Sequence, residues 1–249
     1  MSELFATLEV VARADRYNQW VMAHFRPYLS GVVFDVGSGR GDMAELYDLP
    51  SVDRIILSDH APEMAAFLQK RFAGRKPRYE VLPLADISAL ERSTIIQEHL
   101  PDTVIALNVL EHIDDDVAAI GNMTRILAPG GRLLIMVPAL PAIHGSLDNM
   151  VGHVRRYTRR ELGQKMVAAG LQVERAYYMN ALGVFSWFIA GRILRQQRFD
   201  PVTCAALDRI VPFLRAMESF CPPPFGQSLI LIARKRPLEK TVAFARPRT

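Results

Sequence analysis

This sequence predicts an α/β fold: a doubly wound, mostly parallel sheet with helices on both faces. Three observations predict it. Short β-rich apolar runs alternate with helix-like segments through the first two-thirds of the chain. A glycine cluster closes the first of those runs, and the fifth run is apolar without a break, as suits a strand buried on both faces.

The elements read in order from Gly31. Gly31 to Val36 (GVVFDV) is the first strand, and Asp42 to Tyr47 behind its glycines looks helical. Arg54 to Leu57 (RIIL) is the second strand, a helix follows across Glu63 to Arg71, and Arg78 to Leu82 is the third strand. Thr103 to Leu107 (TVIAL) is the fourth. Val117, Ile120, Thr124 and Leu127 then recur at helical spacing behind aspartates 114–116, which suit an N-cap and a first turn. Pro129, Gly130 and Gly131 stop that helix and lead into the fifth strand, Arg132 to Val137. Thr158 to Ala169 reads as a helix closed by Gly170, and Leu171 to Tyr177 and Ser228 to Ala233 complete seven strands. Between the last two lies an apolar, aromatic-rich helical insertion, 180–226. One domain over 1–236 is expected, with helices in 1–30 ahead of the sheet and a basic tail at 237–249.

Composition bounds the class of protein. At 249 residues, half of them hydrophobic, the chain can bury a sizeable core. The formal charge of +4 is misleading: Arg234, Lys235, Arg236, Lys240, Arg246 and Arg248 stand against Glu239 alone at the end, so the rest of the chain is near neutral. That tail reads as a solvated terminus, able to touch anionic lipid or nucleic acid only weakly and in a salt-dependent way. Cys204 and Cys221 form no Cys-x-x-Cys pair, which argues against a disulfide framework or thiolate metal site and favours a reducing cytoplasm. The first twenty residues place no basic region ahead of an apolar run, so no secretory leader is expected. No segment reaches the ~20 apolar residues that span a bilayer.

The strongest motif is Asp35-Val36-Gly37-Ser38-Gly39-Arg40-Gly41, an acidic strand end leading into glycines spaced by two. Glycines there let backbone amides approach a ligand at the crevice where open α/β sheets bind one. The third glycine is Gly41, whereas a dinucleotide fingerprint wants it where Asp42 stands. Asp35 suits a ligand's ammonium group, directly or through water, and would repel a pyrophosphate.

At these residues the chain resembles the class I S-adenosylmethionine-dependent methyltransferases, whose sheet is Rossmann-like. The resemblance runs on through Ser58-Asp59-His60, Leu84-Ala85-Asp86-Ile87, Asn108-Val109-Leu110-Glu111-His112 and Leu127-Ala128-Pro129-Gly130-Gly131. It implies that Asp35, Gly37, Ser38, Gly39 and Gly41 pack against the methionine half of S-adenosylmethionine. Asp59, with His60 beside it, would take the ribose hydroxyls, Asp86 the adenine amino group and Ile87 the ring. Asn108, Val109 and Leu110 would line the sulfonium. Asp59 is equally suited to capping the next helix, and Gly130 and Gly131 to making a turn.

The acceptor side is less defined. His112, His144, His153 and Tyr157 are the candidate bases or substrate contacts, since each lies in a segment that follows the fourth or fifth strand. The segment Gly152-His153-Val154-Arg155-Arg156-Tyr157-Thr158 resembles one common in a methyltransferase subgroup, as does Arg16-Tyr17-Asn18-Gln19-Trp20. The latter implies an N-terminal lid with Tyr17 as a contact. Tyr178 and Asn180 are weaker candidates. Glu111, His112 and a nearby aspartate match a donor set of some quinone O-methyltransferases, but helix capping explains them equally, and no metal is expected. The insertion reads as an apolar cap over a small-molecule acceptor, a dimer interface, a peripheral membrane contact beside Arg192, Arg195 and Arg198, or an ordinary core helix. A monomer or homodimer is expected. Methylation of nucleic acid or protein, or non-catalytic nucleotide binding, are the alternatives; no Asn-Pro-Pro-Tyr-type motif follows the fourth strand, where Asn108-Val109-Leu110-Glu111 stands.

Overall fold

The computed structural model describes residues 14–75, 78–83, 87–198 and 201–237. Seven strands form one sheet: β1 (Gly31–Val36), β2 (Val52–Asp59), β3 (Tyr79–Pro83), β4 (Thr103–Leu107), β5 (Arg132–Pro138), β6 (Leu171–Met179) and β7 (Ser228–Lys235). Their order is β3-β2-β1-β4-β5-β7-β6, and only β7 runs against its neighbours. The mostly parallel sheet predicted from alternation is therefore present, with β1 between β2 and β4. The strand order reverses there, and such a switch point opens a crevice at the strands' carboxyl ends.

The flanking helices are α1 (Asp15–Phe25), α2 (Pro62–Arg71), α3 (Thr94–Glu98), α4 (Asp116–Ile126), α5 (Ser146–Val151), α6 (Arg159–Ala168), α7 (Ala181–Phe188) and α8 (Pro201–Phe220). Strand alternation divides the core into two layers. On one face Phe34, Val104, Ile135 and Leu231 meet Ile120 and Met123 of α4 and Leu162 and Met166 of α6. On the other, Val33, Ile55, Ile105 and Leu134 meet Trp20 and Phe25 of α1, Leu68 of α2 and Val211 and Leu214 of α8. Cap chemistry sets the helix starts: Asp115 accepts from Ala118 N–H, and Thr158 from Glu161 N–H.

Some expectations change. The helix predicted over 42–47 is a single 3₁₀ turn, Ala44–Tyr47, because Pro50 and the start of β2 follow too closely for a longer one. The helix expected from Thr158 starts at Arg159, with Thr158 as its cap. The insertion is α7, a π-helical turn at Ile189–Ile193, and α8, which packs beside α1. The predicted N-terminal helices are represented by α1; residues 1–13, and the tail from 238, lie outside the described residues. Among the described residues, no helix is long and apolar enough to cross a membrane.

Candidate active site

The glycine loop is built by close approach. Gly37, Gly39 and Gly41 all have positive φ (+71°, +54° and +77°), a region that side chains other than glycine's rarely adopt. A Cβ on Gly37 would lie 2.7 Å from Val109 Cγ2. The loop is stitched to β2: Ser38 N–H donates to Ser58 O (2.7 Å), and Gly39 N–H donates to Asp59 Oδ2 (2.9 Å), while Asp59 Oδ1 accepts from Ala61 N–H (2.9 Å). Asp35 is nearly fully buried, at 3% exposure. Burial, with the Asp59 charge adding to it, pushes its carboxyl up to about 7 against the opposing Ser38 and Tyr47 hydroxyls.

This loop lines a cavity of about 460 Å³ at the switch point. Tyr17 and Asn18 of α1 line it together with Asp35, Gly37, Ser38 and Gly39. Leu182, Leu207, Val211 and Leu214 of the insertion, with Met136 of β5, supply an apolar wall. His112, His153, Arg156, Asn180 and Trp187 add the polar and aromatic part of the lining.

A single carboxylate organises His153, Arg156 and Trp187 of that lining. Asp148, fully buried in α5, accepts from His153 Nδ1 (3.0 Å), Arg156 Nε (2.7 Å), Trp187 Nε1 (3.0 Å) and Gly145 N–H (2.9 Å). Burial works to raise its pKa, but the hydrogen bonds from His153 and Trp187 and the Arg156 charge outweigh it and hold the carboxyl well below the usual range. An ionised carboxylate can only accept, so His153 carries a proton on Nδ1. Glu111 lies 3.7 Å from the ring's Nε2. It is fully buried, neither carboxylate oxygen has a hydrogen-bond partner, and burial pushes it up to about 8. His112 stacks edge-on to His153 at 4.9 Å between ring centres, and burial and that neighbour lower its pKa.

Glu111, His112 and His153 each offer one ligand atom, all within 4.8 Å of one another. That spacing must tighten toward the roughly 3.4 Å between adjacent nitrogen or oxygen ligands of a tetrahedral zinc ion.

The structure sorts the residues singled out by sequence. Tyr17, Asp35, Gly37, Ser38, Gly39, Asn108, His112 and His153 line the cavity. Asn108 holds a left-handed φ of 54° at the end of β4, a conformation common at functional sites. Gly41 instead packs on α2: its Cβ would meet Phe72 and Leu68 at 2.7 and 2.8 Å. Tyr157 corrects the expectation of a catalytic role, because β5 pairs with its backbone and turns the ring into the core. There its hydroxyl donates to Asp116 Oδ2 (2.7 Å), with Leu110 O at 3.1 Å. His144 sits behind His153, its Nε2 3.2 Å from the His153 carbonyl, and does not line the cavity. Leu110 is core, and Val109 packs against Gly37. Asp59, the exposed His60 and Ile87 lie beyond the cavity lining, and Asp86 lies outside the described residues. Sequence reasoning missed Asp148 and Trp187, which carry no local motif. It noted Arg156 only as part of a resemblance.

The residues fit S-adenosylmethionine: the glycine loop lines the cavity with the buried Asp35, whose carboxyl suits an ammonium group. The same fold occurs in solved proteins of differing chemistry. The [4+2]-cyclase SpnF is 18% identical, covering 90% of this chain and 81% of its own, with a TM-score of 0.59. The N-methyltransferase NodS of Bradyrhizobium japonicum WM9, solved with S-adenosyl-L-homocysteine, is 17% identical, covering 89% and 86%, with a TM-score of 0.54. By sequence, a probable S-adenosylmethionine-dependent methyltransferase of Mycolicibacterium smegmatis is 27% identical over 162 residues, 61% of this chain and 54% of that protein. A trans-aconitate 2-methyltransferase of Methylobacterium nodulans is 29% identical over 140 residues, 56% of this chain and 47% of that protein. The chain thus spans about half the length of the curated relatives it matches. The methyltransferase domain family matches residues 13–176, which carry both the glycine loop and the Asp148–His153 pair, and the chain belongs to that family.

Proposed function

We propose that this chain transfers a methyl group from S-adenosylmethionine to an oxygen, nitrogen or carbon of a small apolar acceptor, with His153 as the base. The observation that carries the reading is one cavity lined by the buried Asp35, the glycine loop and His153, whose ring is held by Asp148. The cofactor, when bound, supplies an electrophilic methyl carbon. Asp35 holds its ammonium group, and Gly37 and Gly39 admit it closely. Leu182, Leu207 and Val211 bind the acceptor and exclude water. His153 Nε2 takes the nucleophile's proton while Asp148 holds the ring and stabilises the resulting cation. Asp59 and Asp86 would serve the ribose and adenine. The site uses no metal in this reading.

Calorimetric titration of S-adenosyl-L-homocysteine into the protein tests the cofactor half. Tight binding is expected, weakened roughly ten- to a hundredfold in Asp35→Asn, the usual weight of a hydrogen bond to a charged group. A folded protein that gives no heat with this ligand would overturn the reading. An acceptor panel of apolar hydroxyl and amine compounds then tests the other half.

A further inference from the structure

We propose that the outer face of the insertion docks on an anionic lipid surface. α8 carries two apolar stripes. Its inner one, with Val211 and Leu214, is buried in the core. The outer one repeats at helical spacing through Ile210, Phe213, Met217 and Phe220, of which Phe213 is 70% and Phe220 97% exposed. α7 and the turn after it continue the exposure with Phe185, Phe188 and Ile193. The two helices are joined: Glu218 of α8 accepts from the Asn180 and Ala181 N–H groups at the start of α7, and Phe185 packs edge-on against Phe225. So many large apolar side chains facing water on one insertion mark an interaction surface.

Charge selects the partner. Arg192, Arg195, Arg198 and Arg209 are all exposed on this insertion, while Arg215 stands on the side of α8 nearer His24 of α1. Among its described residues the acids point inward: Asp208 is buried, accepting from Tyr17 N–H and paired with Arg16, and Glu218 is used at the α7 start. Among the described residues no carboxylate pairs with Arg195, Arg198, Arg209 or Arg215. Phenylalanines flanked by arginines match the boundary between acyl chains and anionic headgroups. A second copy of the chain across a two-fold axis would instead set this arginine-bearing face against itself. The same helices wall the cavity, so docking would let an acceptor pass from bilayer to site. That last step rests on the methyltransferase reading; docking itself does not.

The full chain is floated with phosphatidylcholine vesicles with and without phosphatidylglycerol, at low and high salt, and its mass in solution is measured by sedimentation. Binding is expected to vesicles containing phosphatidylglycerol, weaker at high salt. It should fall about tenfold or more in Phe213→Ser/Phe220→Ser and in Arg195→Glu/Arg209→Glu, at roughly 1 kcal/mol for each arginine. S-adenosyl-L-homocysteine binding unchanged in both variants shows that they fold and keep their site. Absence of binding at low salt, or binding undiminished in both variants, overturns the proposal. So does a wild-type dimer that Phe213→Ser/Phe220→Ser converts to monomer, which assigns the face to a second copy.

Discussion

Asp35 sits under opposed demands. A carboxyl raised to about 7 in the fold, against its ordinary value near 4, favours its proton when folded. Its contribution to stability is therefore full below pH 4 and is lost as the pH rises to 7, at about 1.4 kcal/mol for each pH unit. An ammonium ligand needs the ionised form, so affinity should weaken up to tenfold for each pH unit below 7. A calorimetric pH series on S-adenosyl-L-homocysteine checks this, and a flat profile between pH 5.5 and 7 would remove Asp35 from the site. His153 makes the second residue-scale prediction: His153→Ala should lower kcat by roughly 10²–10⁴-fold and leave S-adenosyl-L-homocysteine affinity within about twofold. A drop in affinity of the same size as in kcat would mean that His153 holds the cofactor instead. Asp35 and His153 were readable in sequence because spacing to a strand end or a local motif marks them. Asp148 and Trp187 were not: an aspartate after a turn and a tryptophan in an apolar run have no signature until the fold brings 145–156 against α7.

The segment 152–158 works as a strap across the carboxyl end of β5. Tyr157 N–H donates to Pro138 O, and Leu140 N–H donates to Tyr157 O. Alternation then sends Arg156 toward the cavity and Tyr157 into the core. Tyr157→Phe should lower stability by about 1–2 kcal/mol in a denaturant melt, since Asp116 keeps Lys165 at 2.6 Å when it loses the phenol. Turnover should stay near wild type, and a loss of a hundredfold or more would restore Tyr157 to the catalytic group. Strands were legible at this scale because β-rich runs alternate with turns, and their bounds differ by a few residues from those observed. The 42–47 turn was not, because helix propensity there yields to the short return path into β2. The resemblance gives Gly41 to the ligand with the other glycines, and the packing of Phe72 and Leu68 against it is visible only once α2 is in place.

At the scale of the whole molecule, ligand binding and folding are one equilibrium. The cavity lies between α1, the insertion and the ends of β1, β4 and β5, so a ligand there ties together layers that unfolding would separate. S-adenosyl-L-homocysteine at a hundred times its Kd adds about 2.7 kcal/mol to stability. For a chain of this size that is a rise of roughly 5–10 °C in Tm. Asp35→Asn sharpens the test, because the two contributions of Asp35 separate. Without ligand at pH 8 the variant should melt above wild type, having removed a buried carboxylate; with ligand at the same concentration its Tm should rise by only a few degrees. A ligand-induced shift equal to that of wild type would show that Asp35 makes no contact with the ammonium group. Dialysis against a chelator should change neither melt, since neither Asp35 nor the glycine loop engages the Glu111–His112–His153 group. A chelator-dependent fall in Tm would assign that group to a structural cation.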